Sequence, residues 1–280
     1  MDSTEKPYKV SLKRRIYRVV ILVLLFYGII GLALFYLQEK LILHPEPLPR
    51  DYTFHFNVPF KEVSIAMNPR DTLNMVQFFP ADSVSKGVVL YFHGNRDNIN
   101  RYSKFAADFT KNGYEVWMPD YPSFGKSTGE FTEKLVYEEA REIYKLARVK
   151  FGADSIFVYG KSLGTGAAAY VAANEACGRL ILETPYFSMP SLFSVYAPIY
   201  PTGRMSRFKF PVGEYLKKTQ EPVTIFHGTS DKVVFYSQGE KLQQVLKPGD
   251  EFITINGGGH NDLREFELYR TKLDSLLNLF

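Results

Sequence analysis

Residues 155–166 read S-I-F-V-Y-G-K-S-L-G-T-G. Ile156, Phe157, Val158 and Tyr159 form an apolar, β-favouring run bounded by turn residues, as a buried strand does. Gly160, Lys161, Ser162, Leu163 and Gly164 then spell G-x-S-x-G, and an Ala-rich run follows at 167–173. Strand, sharp turn and helix form the context in which that pentapeptide presents a nucleophile. Its glycines let strand and helix approach closely around a strained serine. The helix behind points its N-terminal N–H groups and positive dipole end at the serine.

A serine hydroxyl is too weakly acidic to attack unaided, so the chain must also supply a base, an acid and oxyanion donors, in the order Ser, Asp/Glu, His. Two further strand ends carry them. Residues 223–226 run into His227-Gly228-Thr229-Ser230-Asp231, and residues 252–255 into Asn256-Gly257-Gly258-Gly259-His260. In an open α/β sheet these loops meet beyond the carboxyl ends of the strands. His260 then takes the proton of Ser162, and Asp231 fixes the imidazole tautomer and stabilises the imidazolium. The N–H of Leu163 faces the oxyanion, and a second N–H, from Asn95, is expected from the His93-Gly94-Asn95 loop after strand 87–92. Glu183 also ends a strand and is the alternative acid. Asp262 braces the histidine loop, and His93 and His227 are expected to pack at strand exits.

The chain has 280 residues, 45% of them hydrophobic, enough for one large domain of some 230 residues and an appendage. Its formal charge of +4 is concentrated at the start. Residues 1–40 hold seven basic groups (Lys6, Lys9, Lys13, Arg14, Arg15, Arg18, Lys40) and three acidic ones; the remainder carries 27 of each sign. This imbalance indicates membrane topology and gives no reason to expect nucleic acid as a partner. The one cysteine, Cys177, excludes an intramolecular disulfide and is expected to fill a core site. No His, Cys or carboxylate cluster has metal-ligand spacing, so neither a metal nor another cofactor is expected.

Residues 19–37 contain no charge, and a span of about 20 apolar residues crosses a bilayer. They lack the small-residue cleavage site of a signal peptide, and a buried core helix rarely runs this long without a polar face. The expectation is one uncleaved transmembrane helix, membrane being the partner through it. The basic cluster Lys9, Lys13, Arg14, Arg15, Arg18 keeps a tail at 1–18 cytoplasmic and leaves the rest periplasmic or lumenal. A Pro-rich, extended connector at 38–59, with His44 and His55 as surface or packing residues, leads to a domain at 60–280. Strands are expected at 63–67, 73–79, 87–92, 115–118, 156–159, 180–182, 223–226 and 252–255. Helices are expected at 101–111, 131–150, 167–173, 236–246 and 263–279. Strands alternating with helices imply an α/β fold, a mostly parallel central sheet with helices on both faces.

The segments His93-Gly94-Asn95, Gly160-Lys161-Ser162-Leu163-Gly164, His227-Gly228-Thr229-Ser230-Asp231 and Gly257-Gly258-Gly259-His260 resemble, in order, the oxyanion loop, elbow, acid loop and histidine loop of the α/β-hydrolase superfamily. The chain is most similar to its membrane-anchored, short-lid, ABHD-type serine hydrolases. Asp120-Tyr121 with Phe124-Gly125-Lys126-Ser127 resembles that branch's D-Y-R-G-[YF]-G-x-S loop, with Pro122-Ser123 replacing Arg-Gly at the pocket wall. The resemblance implies an α/β-hydrolase fold with a short lid at 185–220. That lid is rich in Phe, Tyr and Met, as a lipid-like or small-molecule acyl substrate requires, although the same side chains would also serve simply to cover the sheet. Acyl ester or thioester hydrolysis is the first reading, a serine peptidase the second, and a catalytically silent anchored scaffold the third.

Overall fold

A computed structural model of the chain describes residues 11–81 and 84–278. It divides into two compact units, residues 1–42 and 43–280. Among the described residues of the first lies one helix, α1 (Leu12–Ile42), whose 31 residues extend about 46 Å at 1.5 Å each. Leu22, Leu24 and Phe26 are each more than 60% exposed, and the helix is long and apolar enough to cross a membrane. It starts before the expected span and continues five residues past it, because Lys13, Arg14 and Arg15 at one end and Gln38, Glu39 and Lys40 at the other are good helix formers. Lys6 and Lys9 of the basic flank, and Leu279 of the expected last helix, lie outside the described residues.

The second unit contains, in chain order, β1 (His44–Pro45), β2 (Phe60–Ala66), β3 (Thr72–Phe78), β4 (Gly87–Phe92), β5 (Arg96–Asp97), α2 (Ile99–Tyr102), α3 (Ala106–Thr110), β6 (Tyr114–Pro119), α4 (Glu133–Lys150) and β7 (Ile156–Lys161). It continues through α5 (Thr165–Asn174), β8 (Arg179–Glu183), α6 (Met189–Tyr196), α7 (Thr202–Met205), α8 (Val212–Leu216), β9 (Val223–Gly228), α9 (Tyr236–Gln243), β10 (Glu251–Ile255) and α10 (Glu267–Leu277). Eight strands form one sheet in the order β10-β9-β8-β7-β4-β6-β3-β2. β2 and β3 pair antiparallel, as do β3 and β6, and every other pairing is parallel. β4, β6, β7 and β9 are buried at every position, which explains their predominantly apolar sequences. Val89, Tyr91, Phe157 and Tyr159 on one face pack with α3 and α10. On the opposite face α4 and α5 lie against each other and against β4 and β7.

From β4 the chain goes to β6 on one side and then crosses to β7 on the other. The strand order reverses there, and such a switch opens a crevice beyond the carboxyl ends of β4 and β7. His93 and Ser162 follow those two ends.

Two expectations are corrected. Residues 38–42 are helical, and the remainder of the expected connector belongs to the globular unit. Phe54 is buried, Phe56 stacks on it at 5.5 Å and meets Phe78 at 5.1 Å, so these aromatics cover the first hairpin. The expected helix at 101–111 is broken into α2, a 3₁₀ turn at Ser103–Phe105 and α3. Asn98 caps α2 by accepting the Asn100 N–H, and the chain then tightens to bury Tyr102 and Phe109.

α4 buries a carboxylic acid, Glu139, with Oε1 lacking any hydrogen-bond partner. Burial, reinforced by Asp71 and Glu138, raises its pKa from 4.5 to about 9. The folded chain therefore holds a proton that the unfolded chain releases, and stability present below pH 4.5 is lost as pH rises through about 9. Glu139→Gln should match the wild type near pH 4.5 and melt higher at pH 8, flattening the pH dependence measured by calorimetry.

Candidate active site

Ser162 stands at φ +50°, a left-handed conformation that costs a non-glycine residue roughly 1–2 kcal/mol. The glycines around it permit that conformation. A Cβ on Gly160 would lie 2.6 Å from the Gly164 carbonyl oxygen, and one on Gly164 would lie 2.0 Å from that of Phe92. The elbow is thus pressed against both α5 and the end of β4. Thr165 Oγ1 donates to the Ser162 carbonyl at 2.7 Å, and the Tyr186 hydroxyl donates to that of Leu163 at 3.1 Å. A 3₁₀ turn at Ser162–Gly164 leads into α5, which begins at Thr165, two residues before the expected Ala run.

The loops after β9 and β10 converge on this serine. Ser162 Oγ lies 2.9 Å from His260 Nε2, and His260 Nδ1 lies 2.8 Å from Asp231 Oδ2. The other Asp231 oxygen, Oδ1, accepts the N–H groups of Val233 and Val234, both at 2.8 Å. With that carboxylate acting as acceptor, Nδ1 carries the imidazole proton and Nε2 offers its lone pair to the serine hydroxyl. The two loops are also tied by their backbones. Ser230 N–H donates to the Gly258 carbonyl at 2.9 Å, and a Cβ on Gly228 would lie 2.1 Å from that same oxygen. Asp262 Oδ1 accepts the Gly259 N–H at 2.6 Å, the bracing expected of it.

Asn95, the expected second oxyanion residue, follows β4 and is held from behind. Its carbonyl accepts the His44 N–H at 2.9 Å, within the parallel pair of β1 and β5. Asn98 Nδ2 donates to the Glu46 carbonyl at 2.8 Å, extending this brace. Nothing in the composition of residues 44–46 signalled it. His93 is fully buried, stacked 4.7 Å from Tyr102, and its Nδ1–H donates to the Gly94 carbonyl at 2.7 Å. His227 Nε2 donates to the Val234 carbonyl at 2.8 Å, and burial lowers its pKa, so it stays neutral beneath the acid loop. Both histidines pack at strand exits.

Glu183, the alternative acid, is engaged elsewhere. It pairs with Lys161, its register partner on β7, and accepts hydrogen bonds from Tyr159 and Tyr269. Lys161 Nζ also donates to the His260 carbonyl at 3.3 Å. The sequence contained one signal of this cluster, a lysine lodged between positions that the elbow must bury. Among the described residues no group of three or more His, Cys, Asp or Glu side chains could hold a metal ion.

The lid comprises α6, α7 and α8. Phe208 and Phe210 are buried against Phe131, at 5.3 and 6.4 Å, so these lid aromatics serve as cover. Phe193 and Met205 are half-buried, and Tyr196 is exposed.

This sheet and its loops are those of the α/β-hydrolase fold, and the chain resembles the ABHD-type hydrolases. A family model described as serine aminopeptidase, S33, matches residues 83–209. The alpha/beta hydrolase domain-containing protein 17C of Xenopus tropicalis is 27% identical over 69% of this chain and 62% of its own length. The human 17C protein is 25% identical over 78% of this chain and 66% of its own, so the chain spans about two thirds of these relatives. Among solved structures, an esterase of Pyrococcus furiosus superposes with a TM-score of 0.65 at 17% identity, over 84% of this chain and 96% of that one. The relatives and neighbours carry hydrolase, aminopeptidase or esterase descriptions of their own.

Ser123, the serine that replaces the branch's glycine, has φ +69°. A left-handed position explains why glycine suits it, and the serine bears the strain. Ser123→Gly should raise the melting temperature by about 2–3 °C, or about 1 kcal/mol, as read by calorimetry.

Proposed function

We propose that this protein is a membrane-anchored serine hydrolase that cleaves acyl esters or thioesters through an acyl-enzyme. The observation that carries the reading is the hydrogen-bonded series Ser162, His260, Asp231, with heavy-atom distances of 2.9 and 2.8 Å. In this mechanism His260 Nε2 takes the hydroxyl proton as Ser162 Oγ adds to the acyl carbon. The Asp231 carboxylate holds the imidazolium that forms. Backbone N–H groups of Leu163 and Asn95 receive the oxyanion as it develops, and His260 returns the proton to the departing alcohol or thiol. Water then repeats the sequence on the acyl-enzyme.

Esterases among the structural neighbours lend the fold and not the substrate. A peptidase reading draws on the description of the matching family model, serine aminopeptidase. It requires a charged group to receive a peptide terminus, and the two readings separate on parallel series of acyl esters and aminoacyl amides.

Ser162→Ala should abolish labelling by a fluorophosphonate probe and reduce turnover of a short p-nitrophenyl ester to the roughly 10³–10⁴-fold over water that binding and the oxyanion hole sustain. Asp231→Asn should keep the fold and lower kcat by about 10⁴. Unchanged turnover in a folded Ser162→Ala protein would end the reading.

The anchor is supported by the exposed apolar surface of α1 and the basic residues at its start. In the proposed topology the N-terminus is cytoplasmic and the hydrolase unit lies on the periplasmic or lumenal side. A C-terminal alkaline phosphatase fusion should be active and a C-terminal fluorescent protein that folds only in the cytoplasm should stay dark; the opposite pattern reverses the orientation.

A further inference from the structure

Lys161 and Glu183 are 2% and 4% exposed, at the carboxyl ends of neighbouring central strands. Burying an ion pair is a poor source of stability, because desolvation offsets the attraction, and apolar residues of similar volume often serve as well. The position of this pair therefore needs another reason. Lys161 directly precedes Ser162, and its ammonium has one donor toward Glu183 and another toward the main-chain oxygen of His260, at 3.3 Å. Glu183 is itself fixed. Its second oxygen accepts from Tyr159 on β7 and from Tyr269 on α10, the latter at 3.2 Å, and the two hydroxyls lie 2.8 Å apart. Burial and the nearby Glu183 charge raise the pKa of both phenols, which keeps them neutral donors. The cluster joins the elbow strand, its neighbour, the last helix and the histidine loop.

From this geometry we infer that Lys161, braced by Glu183, is a positioning residue for His260: it clamps the main chain of the histidine to the strand that carries the nucleophile. The inference rests on the reading of Ser162, His260 and Asp231 as a triad. The histidine loop is glycine-rich on its other side, Gly257-Gly258-Gly259, and Gly257 has φ +78°. Asp231 fixes the ring at Nδ1 and does not hold the loop from the elbow side. Lys161 supplies that hold from the residue next to Ser162, so the Oγ–Nε2 separation is set across one short, buried path. The pair is neutral as a whole, so it adds this support without imposing a net charge on the imidazole.

The test uses the full chain in detergent, as wild type, Lys161→Met and the double variant Lys161→Met/Glu183→Leu. Three quantities are read: the melting temperature, kcat and KM on a short p-nitrophenyl ester, and the rate of fluorophosphonate labelling. Lys161→Met strands a buried carboxylate, so both melting temperature and kcat should fall, kcat by about 10–100-fold with KM within about threefold. The double variant removes both charges and leaves Tyr159 and Tyr269 bonded to each other. Its melting temperature should return toward the wild type, while kcat and labelling stay depressed because nothing replaces the donor to the His260 carbonyl. Recovery of kcat and labelling together with stability would reduce the pair to a structural role and overturn the inference, as would a Lys161→Met protein labelled at the wild-type rate. A wild-type protein that resists the probe, or a Ser162→Ala protein that accepts it, overturns the triad reading instead and this inference with it.

Discussion

The contact on which the site depends is the approach of the elbow to the end of β4, where a Cβ at Gly164 would lie only 2.0 Å from the Phe92 carbonyl oxygen. A strained serine is held only if its surroundings leave no relaxed alternative. Here Gly160 admits α5, Gly164 admits β4, and Thr165 and Tyr186 fix the carbonyls of Ser162 and Leu163. The same closeness brings the His93-Gly94-Asn95 loop beside the serine. Elbow geometry and the proposed oxyanion site are therefore one constraint, and side-chain volume at either glycine would disrupt both.

Charge in the site is managed by local neutralisation. Asp231 is buried, yet one of its oxygens takes two backbone N–H groups and the other faces the imidazole. His227 lies below it and is kept neutral by burial. Lys161 and Glu183 neutralise each other nearby. In the proposed mechanism, a proton moving between Ser162 and His260 would do so among fixed partners.

Much of this was legible in the sequence for a physical reason. Buried parallel strands show as predominantly apolar runs, and each proposed catalytic residue follows such a run by way of glycine or a turn. The order β4, β7, β9, β10 and the loops carrying Asn95, Ser162, Asp231 and His260 follow from that. What was hidden depends on pairing across the chain. Lys161 opposite Glu183 is a register relation between strands, invisible to any local pattern. The proline content of residues 44–59 suggested a linker, whereas the alternation of Tyr52, Phe54 and Phe56 recorded a packed face. The break between α2 and α3 was masked because both halves keep helical periodicity.

The strand pair β1 and β5 sets a limit on how the protein can be handled. His44, whose N–H supports the Asn95 carbonyl, is two residues beyond the last residue of α1. Removing the apolar helix to obtain a soluble fragment leaves almost no margin: a cut at Ile42 preserves the brace, and a cut a few residues later deletes it. A fragment lacking residues 43–47 would keep Ser162, His260 and Asp231 and still present a loosened Asn95 loop. In such a fragment, low turnover would report on where the chain was cut.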